Sequence, residues 1–284
     1  MYAVMSSSPL PGLYIVATPI GNLGDLSDRA RAILSAADVV ACEDTRVTGK
    51  LLHLSGIKRP LLRHDDHADD RARAALVERM ASEVVVLVSD AGTPLISDPG
   101  YRLVRDARAA GRLVTSIPGA CAAVTALTMA GLPTDRFLFA GFLPAKAGAR
   151  ATAIAELAAV PATLVFYESG PRLPAALQAL AEGLGDREAA VCRELTKLHE
   201  ECVTGTLSSL ASHYAIPPKG EIVIVIAPPG AAVIEEASEE SIDAALIAAL
   251  ADAPAAKAAK AVAKQLGIPR ETAYARAIEL AGQR

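Results

Sequence analysis

Tryptophan is absent, and aromatic residues of all kinds make up 4% of a chain that is 52% hydrophobic. The core must therefore be aliphatic and rich in small side chains that let elements pack closely. An excess of one charge is also lacking: 28 Lys and Arg stand against 32 Asp and Glu, for a net charge of −4. That excludes a uniformly basic surface that coats nucleic acid. It leaves room for a local basic face, because phosphate binding follows the local field. No apolar run approaches the roughly 18–20 residues that span a bilayer, so no membrane association is expected. Residues 1–12 lack a basic stretch followed by an apolar one, so they are expected to be a short disordered leader and not a signal peptide, with Met5 as an alternative start. Cys42, Cys121, Cys192 and Cys202 form no CxxC pair and have no histidine at zinc spacing. They are read as reduced thiols of a cytoplasmic protein, and no metal site is expected. The dinucleotide fingerprint GxGxxG is missing as well.

What is present is an alternation of short apolar runs with helical patterns. Strands are expected at Leu13–Ala17, Val39–Cys42, Val84–Val88 and Leu113–Ser116. Helices are expected at Leu26–Ala37 (capped by Asp25), Arg46–Ser55, Ala68–Ala81 and Asp98–Ala110 (capped by Ser97 or Asp98). Such alternation predicts a mainly parallel sheet covered on both faces. After Pro118-Gly119 the pattern changes. Strands at Phe137–Ala140, Thr163–Tyr167, Ala189–Arg193, Glu201–Gly205 and Ile222–Ala227 include late ones with little helix between them, which predicts a mixed sheet with an antiparallel part. The expected organisation is an α/β domain over 13–117, a mixed α/β domain over 118–229 and a helical appendage over 238–284. In the appendage Glu235, Glu236, Glu239, Glu240, Asp243 and Asp252 precede Lys257, Lys260, Lys264, Arg270, Arg276 and Arg284. Residues 261–280 read as a helix-turn-helix with Gly267 in the turn.

Three segments carry chemistry. Thr18–Asp25 is a βα turn whose glycines let backbone approach a ligand, with Glu43-Asp44 about twenty residues on, where a ribose-binding acid sits in nucleotide folds. Taken alone it reads equally well as an ordinary turn. Ser89–Gly100 is the strongest signal. Two prolines and two glycines fix its path, and Ser, Thr and Asp line it at the carboxyl end of the most apolar strand, where open α/β sheets bind ligands. Ile117–Ala123 opens a helix with small residues that suit either a flat ligand or tight helix packing.

These runs, taken in order, resemble the tetrapyrrole-methylase superfamily, and most closely its branch that methylates ribosomal RNA. The matching segments are Leu13–Asp25, Glu43–Arg46, Ser89–Gly100, Pro118-Gly119, Gly131–Phe137, Gly141–Pro144, Phe166–Ser169, Arg193–Lys197 and Gly220–Val223, so the resemblance spans roughly 13–227. Gly170-Pro171 departs from a bulkier pair expected before Arg172. The resemblance implies a two-domain α/β enzyme with S-adenosyl-L-methionine between the domains. It also implies a homodimer that methylates the ribose 2′-hydroxyl of a decoding-centre cytidine in 16S RNA of the small ribosomal subunit.

The resemblance assigns one cofactor wall to Pro19, Gly21, Asp90, Gly92, Thr93, Ile96, Ser97, Pro118, Gly119 and Cys121. It assigns the other to Leu143, Tyr167, Glu168, Gly220 and Glu221. A ribose hydroxyl is a poor nucleophile, so a base helps; Asp44, Glu168 and Glu194 are candidates. Arg46, Arg193 and Lys197 are candidates for holding phosphate or a developing oxyanion, with structural ion pairs as the competing reading. His64 and His67 suit either RNA contact or a polar helix start. Two rival functions remain at this level: a small-molecule methyltransferase with a more apolar cleft, and a nucleic-acid-binding regulator that uses the helix-turn-helix-like tail.

Overall fold

The computed structural model describes residues 8–64, 70–230, 239–266 and 270–282 and divides the chain into two compact units, Met1–Pro229 and Gly230–Arg284. The first sheet holds β1 (Gly12–Val16), β2 (Val39–Cys42), β3 (Leu61–Arg63), β4 (Val84–Leu87) and β5 (Val114–Ile117) in the order β3-β2-β4-β1-β5. Every pairing in it is parallel. Its connections are α1 (Asp28–Ala36), α2 (Thr45–Leu54), α3 (Asp70–Arg79) and α4 (Tyr101–Ala109). In β4 all four residues are buried because alternate side chains enter opposite cores. Val84 and Val86 pack with Ile33 and Leu34 on one face, and Val85 and Leu87 with Leu76 and Leu103 on the other. This two-sided burial explains the uninterrupted apolar run in the sequence.

The second sheet holds β6 (Phe137–Phe142), β7 (Thr163–Ser169), β8 (Glu188–Arg193), β9 (Glu201–Thr206) and β10 (Glu221–Ile226) in the order β6-β7-β10-β8-β9. Only β6 and β7 run parallel; the other three pairings are antiparallel. One face packs on α6 (Ala147–Leu157), α7 (Leu173–Leu184) and α8 (Leu207–His213), and the other on α5 (Ala122–Met129). The expected pair of sheets, one parallel and one mixed, is present. The last unit has α9 (Glu239–Asp252), α10 (Ala255–Leu266) and α11 (Arg270–Gly282) around a core of Leu246, Ala259, Val262, Ala273 and Ala277. Arg276, one of the basic residues that follow the acidic stretch, makes two hydrogen bonds of 2.7 Å to Asp243. Gly267 lies outside the described residues, as does His67.

Several boundaries differ from expectation, for local reasons. Asp25 does not cap α1. It ends a short 3-10 turn, and the Ser27 hydroxyl accepts the Ala30 N–H at 3.1 Å, so the helix starts later. Neither Ser97 nor Asp98 caps α4; Gly100 holds that place at φ 126° with no side-chain cap. Strand β3 went unread because it is only three residues long and mostly exposed. Gly12, placed in the leader, is already paired with Val84 in β1.

Candidate functional site

The order of the first sheet makes its connections diverge beyond β1 and β4, which is where such sheets bind ligands. The two loops leaving these strands are tied together there. Thr18 N–H donates to the Gly92 carbonyl at 2.8 Å, and Gly92 N–H to the Thr18 carbonyl at 3.1 Å. The second loop is held open by unusual backbone: φ is 81° at Gly92, 74° at Leu95, 62° at Ser97 and 126° at Gly100. Among the described residues the non-glycine positions with positive φ are Leu95, Ser97, Glu194 and Thr196. All four lie in two loops that meet at one cleft. Each costs roughly 1–2 kcal/mol, a cost that persists only where the surroundings enforce it, typically at functional sites.

Between these loops and the second sheet lies a cavity of about 410 Å³, within the range of small-molecule sites. Of the expected residues it brings together Asp90, Gly92, Thr93, Ile96, Ser97, Tyr167, Glu168, Gly220 and Glu221. It adds Ile20, Asp98 and Ile222 from segments expected to form the walls, and Phe142, Leu195 and Val223, which sequence reasoning did not single out as site residues. Phe142 reaches it because the pairing of β6 with β7 shifts between Phe139 and Gly141, which re-aims the strand end toward Tyr167. Tyr167 accepts the Ala123 N–H at 3.2 Å, and its phenol is pushed up by burial and then by the Cys121 thiol.

The remaining expected cofactor residues stand behind this wall. Pro19 adjoins Ile20. Gly21 has no side chain where one would strike Lys197 and come within 2.9 Å of the Thr196 hydroxyl, so the first loop packs directly on the second sheet's loop. A β-carbon on Gly119 would stand 2.9 Å from that of Ala17. The Pro118–Cys121 segment is tied to the second loop by Thr93, whose hydroxyl donates to the Ala120 carbonyl at 2.9 Å. Leu143 is buried in the core beneath α7, and its carbonyl accepts from Arg172. Glu168 is also buried. One carboxylate oxygen accepts the Ser169 N–H at 2.8 Å and pairs with Arg172 at 3.1 Å, while Oε2 is buried without a hydrogen-bond partner.

A second cavity, of about 490 Å³, is lined by Glu43, Asp44, Thr45, Arg46, Arg63 and Asp90, so Asp90 belongs to both. Asp44 caps α2: it accepts the Arg46 N–H at 2.8 Å and pairs with the exposed Arg46 guanidinium at 2.6 Å. These Arg46 contacts hold the Asp44 carboxyl well below the usual range, which makes it a weak base. Glu194 and Lys197 line neither cavity but flank Glu221, which lines the first. Lys197 Nζ lies 3.0 Å from Glu194 and 2.7 Å from Glu221, and Glu194 also accepts the Glu221 N–H at 3.2 Å. Lys197 is thus occupied by two carboxylates, and the Lys197 contact is the main cause that lowers the Glu194 carboxyl. Arg193 pairs with Glu201 at 2.6 Å, and His64 is buried at the end of β3's loop side.

The first cavity carries Asp90, Asp98, Glu168 and Glu221 and no lysine, arginine or histidine. Such a wall disfavours phosphorylated cofactors and suits a cationic one, because a cleft lined by one sign of charge concentrates the opposite sign. S-adenosylmethionine, whose sulfonium and ammonium outweigh its single carboxylate, fits that donor set. Among the described residues no helix is long and apolar enough to cross a membrane.

Residues 12–211 match the model of the tetrapyrrole (corrin/porphyrin) methylases, and residues 235–281 that of the RsmI C-terminal HTH domain. The chain is 57% identical over 279 residues to ribosomal RNA small subunit methyltransferase I of Erythrobacter litoralis, covering 97% of this chain and 98% of the relative. It is 51% identical to the protein of the same name from Mesorhizobium japonicum, covering 95% and 92%. Among solved structures, uroporphyrin-III C-methyltransferase from Thermus thermophilus, complexed with S-adenyl homocysteine, aligns with a TM-score of 0.51 at 20% identity over 75% of this chain and 96% of that one. The likeness to that structure is one of fold. The chain belongs to the tetrapyrrole (corrin/porphyrin) methylase family and, within it, to the ribosomal RNA small subunit methyltransferase I proteins.

Proposed function

We propose that this protein methylates the ribose 2′-hydroxyl of a decoding-centre cytidine in 16S RNA of the small ribosomal subunit, with S-adenosylmethionine as methyl donor. The observation that carries the reading is the acidic cavity of about 410 Å³ that shares Asp90 with a second one, where Arg46 and Arg63 stand among Glu43, Asp44 and Asp90. The near full-length likeness to proteins named for the small-subunit RNA supports the substrate class. The small-molecule alternative is not favoured.

S-adenosylmethionine supplies a methyl group made electrophilic by its sulfonium. The Gly92–Ser97 loop and the end of β10 at Gly220–Glu221 would hold this cofactor, and Gly220, at φ 102°, leaves room for the Glu194 carboxylate, which a β-carbon there would strike. The apolar side chains of Ile20, Phe142, Leu195 and Val223 exclude water from the other walls. Lys197 fixes Glu194 and Glu221, which orients the β10 end of the wall. Arg46, with a side chain 89% exposed, contacts RNA phosphate. Rate enhancement comes largely from alignment, worth roughly 7–11 kcal/mol in favourable cases. The helical unit adds RNA affinity through Lys257 and Lys260, both exposed on α10. A cytoplasmic location and a homodimer complete the proposal; Phe137, 48% exposed on edge strand β6, is one apolar side chain that a second copy can cover.

The test is methyl transfer to small subunits and to free 16S RNA, with the modified nucleoside mapped. One ribose-methylated cytidine is expected. Transfer to a base, or to a tetrapyrrole in place of RNA, overturns the reading.

A further inference from the structure

Of the four free cysteines, two meet across a strand pair. Cys192 on β8 is the register partner of Cys202 on β9, and their sulfurs are 3.2 Å apart.

The backbone decides that meeting. Glu188 accepts the Ala227 N–H at 2.9 Å, and Glu194 donates its N–H to the Glu221 carbonyl at 3.1 Å, both on the β10 side. Arg187 instead accepts the Leu207 N–H at 2.9 Å, on the β9 side. By this alternation Cys192 bonds toward β10, which leaves Cys192 and Cys202 as a non-hydrogen-bonded pair. In such pairs the α-carbons are about 4.5 Å apart and the side chains approach most closely. A disulfide needs about 4.4–6.8 Å between α-carbons, so the strands need not move to accept one. Both side chains lie on the face covered by α5. Cys192 Sγ is 3.8 Å from the Ala126 carbonyl, and Cys202 Sγ is 3.7 Å from that of Met129.

The two thiols differ in access. Cys192 is fully buried, whereas Cys202 is partly open to solvent. Burial, then the Cys202 contact, push the Cys192 thiol up, which keeps it protonated. An accessible sulfur backed by a second one is the usual arrangement of a reversible oxidation site. Between the two cysteines the chain makes the turn over 194–200. That turn holds Glu194 at φ 50° and Thr196 at φ 66°, places Leu195 in the lining of the first cavity, and ties Lys197 to Glu221 at 2.7 Å.

We propose that Cys192 and Cys202 form a reversible oxidation site, closed to a disulfide by a peroxide, that staples the hairpin forming one wall of the first cavity. The proposal does not depend on which substrate is methylated. In the first step the Cys202 sulfur takes an oxygen from hydrogen peroxide. The O–O bond breaks, one water leaves, and Cys202 becomes a sulfenic acid. The Cys192 sulfur then attacks the Cys202 sulfur. The S–S bond forms, the S–O bond breaks, and the hydroxyl leaves as a second water with the Cys192 proton. The two thiols supply the two electrons that reduce the peroxide. In a reducing compartment such a bond is transient, which suits a response to oxidant and not a permanent cross-link.

The test treats the full-length protein with excess hydrogen peroxide, blocks remaining thiols and digests it without reduction. Trypsin cuts after Arg187, Arg193, Lys197 and Lys219, which separates Glu188–Arg193 from Leu198–Lys219. Mass spectrometry should find these two peptides joined, lighter than their sum by two hydrogens, and separated again by a dithiol reductant. Closing so short a loop should raise Tm by about 5–10 °C. Amide exchange over residues 194–200 should slow by about tenfold or more, because local opening of the hairpin is restrained. Cys202→Ser, and independently Cys192→Ala, should give no joined peptides and neither change. Both thiols left free, Cys202 oxidised to a sulfinic acid without linkage, or Cys202 joined to a different cysteine overturns the proposal. A Cys192–Cys202 bond that alters neither Tm nor exchange overturns the staple.

Discussion

Replacing Arg172 with alanine strips the cation from Glu168, whose side chain is 1% exposed, while the arginine itself is 37% exposed. Two interactions go: the 3.1 Å pair with Glu168 and the donation to the Leu143 carbonyl. A hydrogen bond to a charged group contributes about 1.5–3 kcal/mol, and an orphaned buried carbonyl costs about 1–3 kcal/mol. Water can enter from the arginine's exposed side, which relieves part of both. The expected loss is roughly 2–4 kcal/mol, below the ~3–5 of a fully buried pair broken on one side. For a unit of this size that lowers Tm by about 2–4 °C per kcal/mol. Urea unfolding followed by circular dichroism measures it. Because the pair is largely shielded, the loss should survive in about 0.5 M salt, where exposed pairs fade. The double variant Glu168→Gln/Arg172→Ala should be less destabilised than additivity requires, by about 1 kcal/mol or more, since a neutral amide no longer needs the cation. A cost for Arg172→Ala under about 0.5 kcal/mol, in the range of ordinary surface substitutions, refutes the reasoning.

Gly92→Ala places a β-carbon 3.2 Å from Ile20 at a φ of 81°, so S-adenosylmethionine affinity should fall about tenfold, as roughly 1–2 kcal/mol of strain implies; calorimetry returning wild-type affinity would remove this loop from the site. Arg46→Ala should weaken binding to small subunits and reduce the slope of log affinity against log salt by about 1, with cofactor affinity unchanged; an unaltered slope shows that Arg46 meets no phosphate. Asp98→Asn should be more stable than wild type above pH 6. The folded carboxyl is raised from an ordinary 3.8 to about 6, so the folded protein holds more protons than the unfolded chain between those values, and wild-type stability falls as pH rises through that window. Denaturation curves of the two proteins that stay parallel from pH 4 to 8 contradict the shift.

Long, uninterrupted signals in the sequence translated well into structure. The apolar Val84–Leu87 run could only be a strand covered on both faces, and the Ser89–Gly100 loop carries too many glycines and prolines for a simple reversal. What stayed hidden depends on local backbone that neighbours decide. Asp98 reads as a helix cap until Gly100 takes φ 126° and starts the helix later. Glu194 and Lys197 have the spacing of a helical ion pair, yet Glu194 and Thr196 lie at φ 50° and 66°. That turn carries Lys197 onto Glu221 from a strand far along the chain, a partner no spacing rule can supply. Phe142 belongs to an alternation that the shift between Phe139 and Gly141 breaks. Leu143 matches a motif by position, but the fold sends its side chain into the core and leaves only its carbonyl to Arg172. Gly170, where the chain departs from the expected bulkier pair, sits so close to the Pro218 carbonyl that any β-carbon would force residues 218–219 to move. Since Gly220 follows directly, a side chain at 170 and the shape of the cofactor wall are coupled through that strand.

A net charge of −4 is at first sight a poor match for an RNA substrate. The distribution of the charge resolves this. The acids at the cleft do separate tasks: Glu168 and Glu221 are paired with Arg172 and Lys197, Asp44 with Arg46, and burial raises the Asp98 carboxyl to about 6. Pairing removes most of the field they would cast toward an approaching phosphate, and the rest decays over about 8–10 Å at physiological salt. The cavity still presents an acidic wall to a small cation that enters it, because at contact distance screening is weak and the wall excludes water. One cleft can therefore attract a cationic cofactor at short range without repelling a polyanion at long range. At neutral pH a carboxyl raised by burial to about 6 is still mostly ionised, so Asp98 adds to the short-range attraction for the cation and, like Asp90, leaves only a screened charge at the distance of an approaching phosphate.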